Sequence, residues 1–394
     1  MKFNQSVFKD EAKLDINYIP NHLPHRDKEL RLLMEFFSFL TRFPERMAQR
    51  VIITGDVGTG KTALCQRFGA DITTEANKRS VKIHYVHVNC REYRGKVSLI
   101  IQHAVNVLRP NFPKRGFSSE EILRTLLQNL DEENSYMILA LDEFDSIIET
   151  EGSDSVYSLT RLQEMRANLP QRISLVCIMR DLKPTEHLDT SARSTLQRNI
   201  LHLEKYSKEQ LLDILNDRVT MAFEPAAVSE ETISLTADLA RGETGHARFA
   251  IELLWRAGKY ADAEDSNEVT PECVRKAISS IIPMVQKSEL ASLGLHEKLF
   301  LLATAEVFCE STKAYATLAD IEQAYSVTCE EYEVEPVSHT QLWKYLQYLD
   351  AIGILKTEVS NGGQRGRSTI ISLPLVSANE LSKELRAMFE KKER

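Results

Sequence analysis

Eight residues, GDVGTGKT from Gly55 to Thr62, constrain this chain more than any other feature. They fit the phosphate-loop pattern G-x-x-x-x-G-K-[ST] in full, directly after the strand-like RVIIT and before the helix-like TALCQRFGADI. A loop of this kind works only where a buried strand delivers it to a helix N-terminus. The glycines Gly55, Gly58 and Gly60 let backbone N–H groups, including those of Asp56, Val57, Thr59 and Ala63, curl around a β-phosphate. Lys61 sets a compact cation on the β/γ oxygens, and the Thr62 hydroxyl is a ligand for Mg²⁺. ATP or ADP with Mg²⁺ is therefore the expected cofactor set.

The rest of the first half supplies the sheet that such a loop needs. RVIITG (50–55), KIHYVHVN (82–89), YMILALDEFD (136–145) and ISLVCIMR (173–180) are short apolar runs separated by segments of helical period. That alternation predicts βαβ units around a parallel sheet buried on both faces, an α/β fold class. DKELRLLMEFFSFLTRF (27–43) precedes it as a helix, and residues 1 to about 20 read as an extended arm. From Ser207 to Ile282 the pattern turns helical, with SKEQLLDILNDRVTMAF opened by a serine cap and a glutamate in its first turn. PMVQKSELASLG (283–294) reads as a hinge, and further helices follow at HEKLFLLATAEVF, TLADIEQAYSVTCEEY and SHTQLWKYLQYLDAIG. The boundaries expected are 1–206 for the core, 207–290 for a helical lid and 291–394 for a terminal module, which suits 394 residues at about 100 to 200 per domain.

Composition removes several alternatives. With 49 Lys and Arg against 57 Asp and Glu, the net charge of −8 excludes a general nucleic-acid coat, so any contact with nucleic acid is local. The six cysteines are scattered without Cys-x-x-Cys or His partners, against a disulfide framework or zinc site, and read as small buried hydrophobes. A polar amino terminus and the lack of an apolar run of about 18 residues point to a cytoplasmic protein with no membrane partner.

The third apolar run ends in paired acids, as Mg²⁺ chemistry at the carboxyl end of a sheet strand requires. Asp142 would hold the metal through water, and Glu143 is placed to orient the attacking water.

At these residues the chain resembles the AAA+ ATPases, and within them the archaeal replication initiators similar to eukaryotic origin-recognition subunits. The likeness runs from DINYIPNHLPHRDKEL (15–30) through the phosphate loop, LALDEFD, DLKPTEHLDTSARSTL (181–196) and GHARFAIELLWRAGKYA (245–261) to LWKYLQYLDAIGILKTEVSNGGQRGRSTIISL. The resemblance implies an AAA+ parallel-sheet core with a helical lid and a C-terminal winged helix. It also implies that the segment holding His25 and Arg26 helps cover the adenine, and that Arg248 reaches the γ-phosphate from the lid. LDTSARSTLQR lies where the family places an arginine finger, with Arg193 and Arg198 both candidates. After the fourth strand the family carries a polar Asn that positions the catalytic water, whereas Arg180 stands here. Arginine cannot accept a hydrogen bond, so slow hydrolysis is expected, with Arg180 paired to Asp142, Glu143 or phosphate. The insertion VLRPNFPKRGFSSEEIL (107–123) stands where relatives place a DNA-contacting element, with Lys114 and Arg115 as its basic residues.

In the terminal module, Leu342, Leu346, Leu349 and Ile352 would form the apolar face of a recognition helix, leaving Ser338, His339, Thr340, Gln341, Lys344 and Tyr345 outward. Residues 296–337 carry two basic and nine acidic side chains, whereas 338–394 carry nine basic and six acidic, so only one side of the module suits DNA. Asn361 to Gly363 form the turn of a wing whose basic tips are Arg365 and Arg367. The leading expectation is an ATP-dependent initiator that recognises duplex origin DNA, with a replicative helicase and other initiator subunits as partners. Two alternatives stand beside it: a regulatory or signalling ATPase whose winged helix binds protein, and a paralogue that regulates another initiator.

Overall fold

Alternate residues of each apolar run go to opposite sides of one sheet, as the two-residue period of a strand requires. In β1 (Arg50–Gly55) Ile52 joins one core while Val51 and Ile53 join the other; β3 (Tyr136–Asp142) and β4 (Ile173–Ile178) divide in the same way. With β2 (Ile83–Asn89) and β5 (Ile200–Leu203) they form a five-stranded parallel sheet in the order β2-β3-β4-β1-β5. One face is covered by α1 (Asp27–Arg42) and α2 (Lys61–Lys78), and the other by α3 (Val97–Leu108), α4 (Ser119–Glu132), α5 (Asp145–Thr160, broken at Gly152) and α6 (Thr190–Leu196). At Gly69 of α2 a Cβ would stand 2.3 Å from the Tyr85 ring, so glycine sets how closely α2 approaches β2.

The computed structural model describes residues 6–113, 116–160, 169–196, 199–243, 246–281, 287–310, 313–359 and 369–390. The chain separates into two units: Ile19–Tyr206, which is this α/β core, and Met1–Tyr18 together with Ser207–Arg394. Residues 6–18 belong to the second unit and not to the core segment that follows them. They lie on the lid, which consists of α7 (Lys208–Ala222), α8 (Glu230–Glu243), α9 (Ala247–Ala263) and α10 (Pro271–Ile281). Phe8 pairs with Phe223, rings 4.8 Å apart, and Glu11 accepts hydrogen bonds from the Trp255 indole and the Lys259 ammonium, both at 2.7 Å. Arg218 donates to the carbonyls of Lys13 and Tyr18. The cap of α7 is a Ser207 and Gln210 capping box, so glutamine rather than glutamate closes it.

The last module contains α11 (Lys287–Ser292), α12 (Leu295–Glu310), β6 (Ala316–Thr317), α13 (Leu318–Glu331), α14 (His339–Ala351), β7 (Lys356–Val359), β8 (Thr369–Ser372) and α15 (Ala378–Glu390). Its antiparallel sheet has the order β6-β8-β7, giving the helix, strand, helix, helix, hairpin sequence of a winged helix. Leu290 and Leu293 are buried in this module's core, so the second half of the expected hinge is part of a folded domain. Cys309 is exposed, against the reading of all six cysteines as buried, while the other five are buried.

Lid and winged helix meet through a polar junction. Arg275 of α10 has no solvent exposure: it donates to the carbonyls of Leu373, Lys313 and Ala314, each at 3.2 Å, and stacks 4.5 Å from the Phe308 ring centre. Glu272, one helical turn earlier, pairs with Arg275 and accepts from Ser377 Oγ and the Ala378 amide at the start of α15. Glu231 takes the Ala314 amide at 2.6 Å, and Asp238 accepts from Tyr315 and Lys208.

Candidate functional site

The phosphate loop sits at the carboxyl end of β1, between the ends of β4 and β5, where the sheet order reverses. Gly60 has φ +90° immediately before α2, and a Cβ there would stand 2.9 Å from the Tyr206 hydroxyl, so both conformation and space require glycine. Thr59 is fully buried and donates to the Asp56 carbonyl, Val57 is exposed, and Ala63 lies in the first turn of α2. Lys61 Nζ donates to the Gly55 and Asp56 carbonyls at 2.6 and 2.8 Å.

Arg26 lies beneath this loop. It is 4 % exposed, donates to the Thr59 and Glu204 carbonyls and to the Tyr206 hydroxyl, pairs with Glu29, and stacks 4.1 Å from the centre of the Tyr206 ring. All three guanidinium nitrogens are engaged with protein, which makes Arg26 a support of the loop. His25, its neighbour, is exposed at φ +62°.

Thr62 and Asp142 come together: Oγ1 donates to Oδ2 at 2.6 Å. These two hard oxygens, one ionised, suit Mg²⁺, which takes one or two protein oxygens and completes its shell with water and phosphate. His87 on β2 lies 3.4 Å from the same Oδ2. Burial alone would raise the Asp142 pKa, but hydrogen bonds from His87, Thr62 and the Glu143 amide outweigh it, so the carboxyl titrates below its ordinary value. The chain turns sharply at Glu143, with φ +54°. The Glu143 carboxylate is held by Arg91 Nε at 2.7 Å, and Arg91 also reaches Asp145 at 3.6 Å. Neither His87 nor Arg91 was visible as a site residue in the sequence, because each is about 50 residues from its carboxylate.

Arg180 does not pair with Asp142 or Glu143. Its Nε lies 3.3 Å from Asp56 Oδ1, because the carbonyl of Arg180 accepts the Gly55 amide at 3.0 Å and fixes the residue beside the loop. Lys205 lies 3.1 Å from the other oxygen of Asp56. The hydrogen bond from Lys205, with Arg180 adding to it, holds the Asp56 carboxyl below the ordinary range. Arg248 is the second residue of α9 and exposed in the lid; Arg193 is exposed on α6, and Arg198 lies outside the described residues. Among the described residues there is no group of three or more His, Cys, Asp or Glu that could hold a metal. No helix there is long and apolar enough to cross a membrane.

In the winged helix, Leu342, Leu346 and Leu349 are buried. Ile352 is not: it lies beyond the last residue of α14, 43 % exposed, and Ile354 and Leu355 enter the core instead. Ser338, His339, Thr340 and Lys344 are exposed, and Gln341 is half-buried. Tyr345, expected outward, is half-buried against the core, while Trp343 and Tyr348 are exposed. His339 is paired with Glu322 of α13. The hairpin strands pair from Lys356↔Ser372 to Val359↔Thr369. Arg365 and Arg367 lie outside the described residues, as do Lys114 and Arg115 between α3 and α4.

Three family descriptions match the chain: an AAA domain over residues 45–181, a Cdc6 AAA+ ATPase-type lid domain over 212–279, and a CDC6 C-terminal winged helix domain over 288–383. The ORC1-type DNA replication protein 2 of Saccharolobus solfataricus is 35% identical over 375 residues, covering 94% of this chain and 91% of that protein. The crystal structure of Cdc6p from Pyrobaculum aerophilum is similar at 28% identity and a TM-score of 0.83, over 99% of this chain and 100% of the other. The structure of the Aeropyrum pernix ORC1 protein in complex with DNA is similar at 27% identity and a TM-score of 0.64, with the same coverage. The AAA+ core, the helical lid and the winged helix, found in that order along the chain, are the architecture of these proteins, and this chain belongs to the ORC1-type DNA replication proteins of the Cdc6 family.

Proposed function

We propose that this protein is an ATP-dependent replication initiator that binds duplex origin DNA through its winged helix, with the ATP or ADP state as a switch. The observation that carries the reading is α14: three leucines bury one face, and His339, Thr340 and Lys344 are left exposed on its first two turns. Hydrogen-bonding groups and one cation at the start of such a helix suit base edges and phosphates. Arg365 and Arg367 of the wing and Lys114 and Arg115 of the insertion are the further contacts proposed. The Aeropyrum pernix relative in complex with DNA supports the choice of partner. A replicative helicase and other initiator subunits are the downstream partners that the family suggests.

For the nucleotide, the loop amides and Lys61 would bind the phosphates, and Thr62 with Asp142 would hold Mg²⁺, which neutralises charge on the β/γ oxygens when bound. Glu143 would orient the attacking water. With its carboxylate bound to Arg91, and with Arg180 where an amide would position the water, we propose slow hydrolysis. The acid-rich α13 and its Glu322–His339 pair favour a second reading, a winged helix that docks protein.

One titration separates the two. Fluorescence anisotropy with duplexes from the protein's own replication origins at low salt should show binding that Lys344→Ala or Thr340→Ala weakens about tenfold. Absence of binding, or variants that match the parent, would leave the protein-docking reading.

A further inference from the structure

We propose that Asp56 is a resident anion that competes with the terminal phosphate of a bound nucleoside triphosphate for Arg180 and Lys205, and thereby sets the preference of the loop between triphosphate and diphosphate. The inference rests on the reading of the loop as an ATP site and adds the residues that tell its two nucleotides apart.

The sheet order makes the arrangement. β4, β1 and β5 are neighbours, so their carboxyl ends lie side by side, and within two residues of them come Arg180, Asp56 and Lys205; Glu204, directly after β5, lies 3.7 Å from His202. The acid is central and a cation stands on either side, at 3.3 and 3.1 Å, one on each carboxylate oxygen. Lys61 adds a third cation on the carbonyls of residues 55 and 56. Three cations therefore converge on two loop residues, and Asp56 is the carboxylate that pairs with two of them.

All three side chains of the cluster are solvent-accessible, at 68 % for Arg180, 57 % for Lys205 and 35 % for Asp56. Pairs so exposed are weakly held and exchange readily for a more highly charged anion. The backbone amides of the loop serve the β-phosphate, which both nucleotides possess. The γ-phosphate is the group that distinguishes them, and it brings the negative charge for which Arg180 and Lys205 are suited. Asp56 opposes it twice, by like-charge repulsion and by occupying its cations.

The signs are therefore opposite for the acid and the bases. Removing the Asp56 charge raises affinity for triphosphate more than for diphosphate, by about threefold for a pair this exposed. Removing either cation lowers the same ratio by a similar factor. General damage to the loop weakens both nucleotides and leaves the ratio unchanged.

The test is fluorescence titration of the full chain with mant-ATP and mant-ADP in the presence of MgCl₂, for the parent and for Asp56→Asn, Arg180→Gln, Lys205→Met and Lys61→Ala. A ratio of ATP to ADP affinity that rises in Asp56→Asn and falls in Arg180→Gln and Lys205→Met supports the proposal. A ratio that stays fixed, or moves the same way in all three, overturns it while the site reading stands, provided that the parent binds both nucleotides and Lys61→Ala binds neither. A parent that binds neither nucleotide removes the ATP-site reading and the proposal together.

Discussion

Replacing Arg275 by alanine is the most demanding test of the junction between lid and winged helix. Three backbone carbonyls, those of Leu373, Lys313 and Ala314, lose a charged donor at once, and Glu272 loses its cation. A buried acceptor left without a partner costs about 1–3 kcal/mol, and breaking a buried ion pair costs about 3–5 kcal/mol. These terms overlap, because Glu272 keeps its hydrogen bonds to Ser377 and Ala378, and about 4 kcal/mol is the expected loss. The chain has two tryptophans, Trp255 in α9 and Trp343 in α14. Both belong to the unit that contains Arg275, so tryptophan fluorescence follows that unit's unfolding without a signal from the core. With a urea slope of about 3 kcal/mol/M, the midpoint should fall by about 1.3 M in Arg275→Ala. Arg256→Gln, which breaks only an exposed i,i+4 pair with Glu252, should move it by less than about 0.2 M. An Arg275→Ala shift no larger than that of Arg256→Gln would refute the reasoning.

Three further outcomes are expected. Arg91→Ala frees the Glu143 carboxylate and should raise ATP turnover about threefold in a steady-state phosphate-release assay; turnover equal to the parent's would show that the pair exerts no restraint. Asp142 has its folded pKa lowered, so its ionised form contributes stability above the ordinary carboxylate value of about 4, and that contribution is lost as pH falls through the lower folded value. The urea midpoint of Asp142→Asn, followed by far-UV circular dichroism, should therefore lie below the parent's at pH 7 and converge with it in acid; a constant gap would count against the shift. Ser207→Ala opens the capping box of α7 and should cost about 1 kcal/mol, a midpoint shift of about 0.3 M by tryptophan fluorescence.

What the sequence could reveal depended on how local the physics was. The phosphate loop and the strands β1 to β4 were legible because a glycine pattern and continuous apolar runs are local signals. β5 was missed: only Leu201 and Leu203 point inward in a four-residue edge strand, too short for a run to stand out. The lid–wing junction was hidden for the opposite reason. Glu272 and Arg275 look like a solvated face of α10, and their burial depends on carbonyls about 40 to 100 residues away. Arg26 was legible as belonging to the nucleotide region, but its engagement with Thr59, Glu204 and Tyr206 was not, since those partners lie 33 to 180 residues further on. α15 lacked a motif, although its buried Leu381, Leu385 and Phe389 keep helical spacing.

The placement of residues 6–18 on the lid sets an order of events during synthesis. This arm is made before the core, yet Phe223, Trp255 and Lys259, to which it binds, emerge more than 200 residues later. The α/β core, Ile19–Tyr206, is complete before any of them leaves the ribosome, and domains generally fold as units in the order in which they emerge. The nascent chain therefore carries a finished nucleotide-site domain with an undocked arm on its N-terminal side, and the arm's docking reports that the lid has formed.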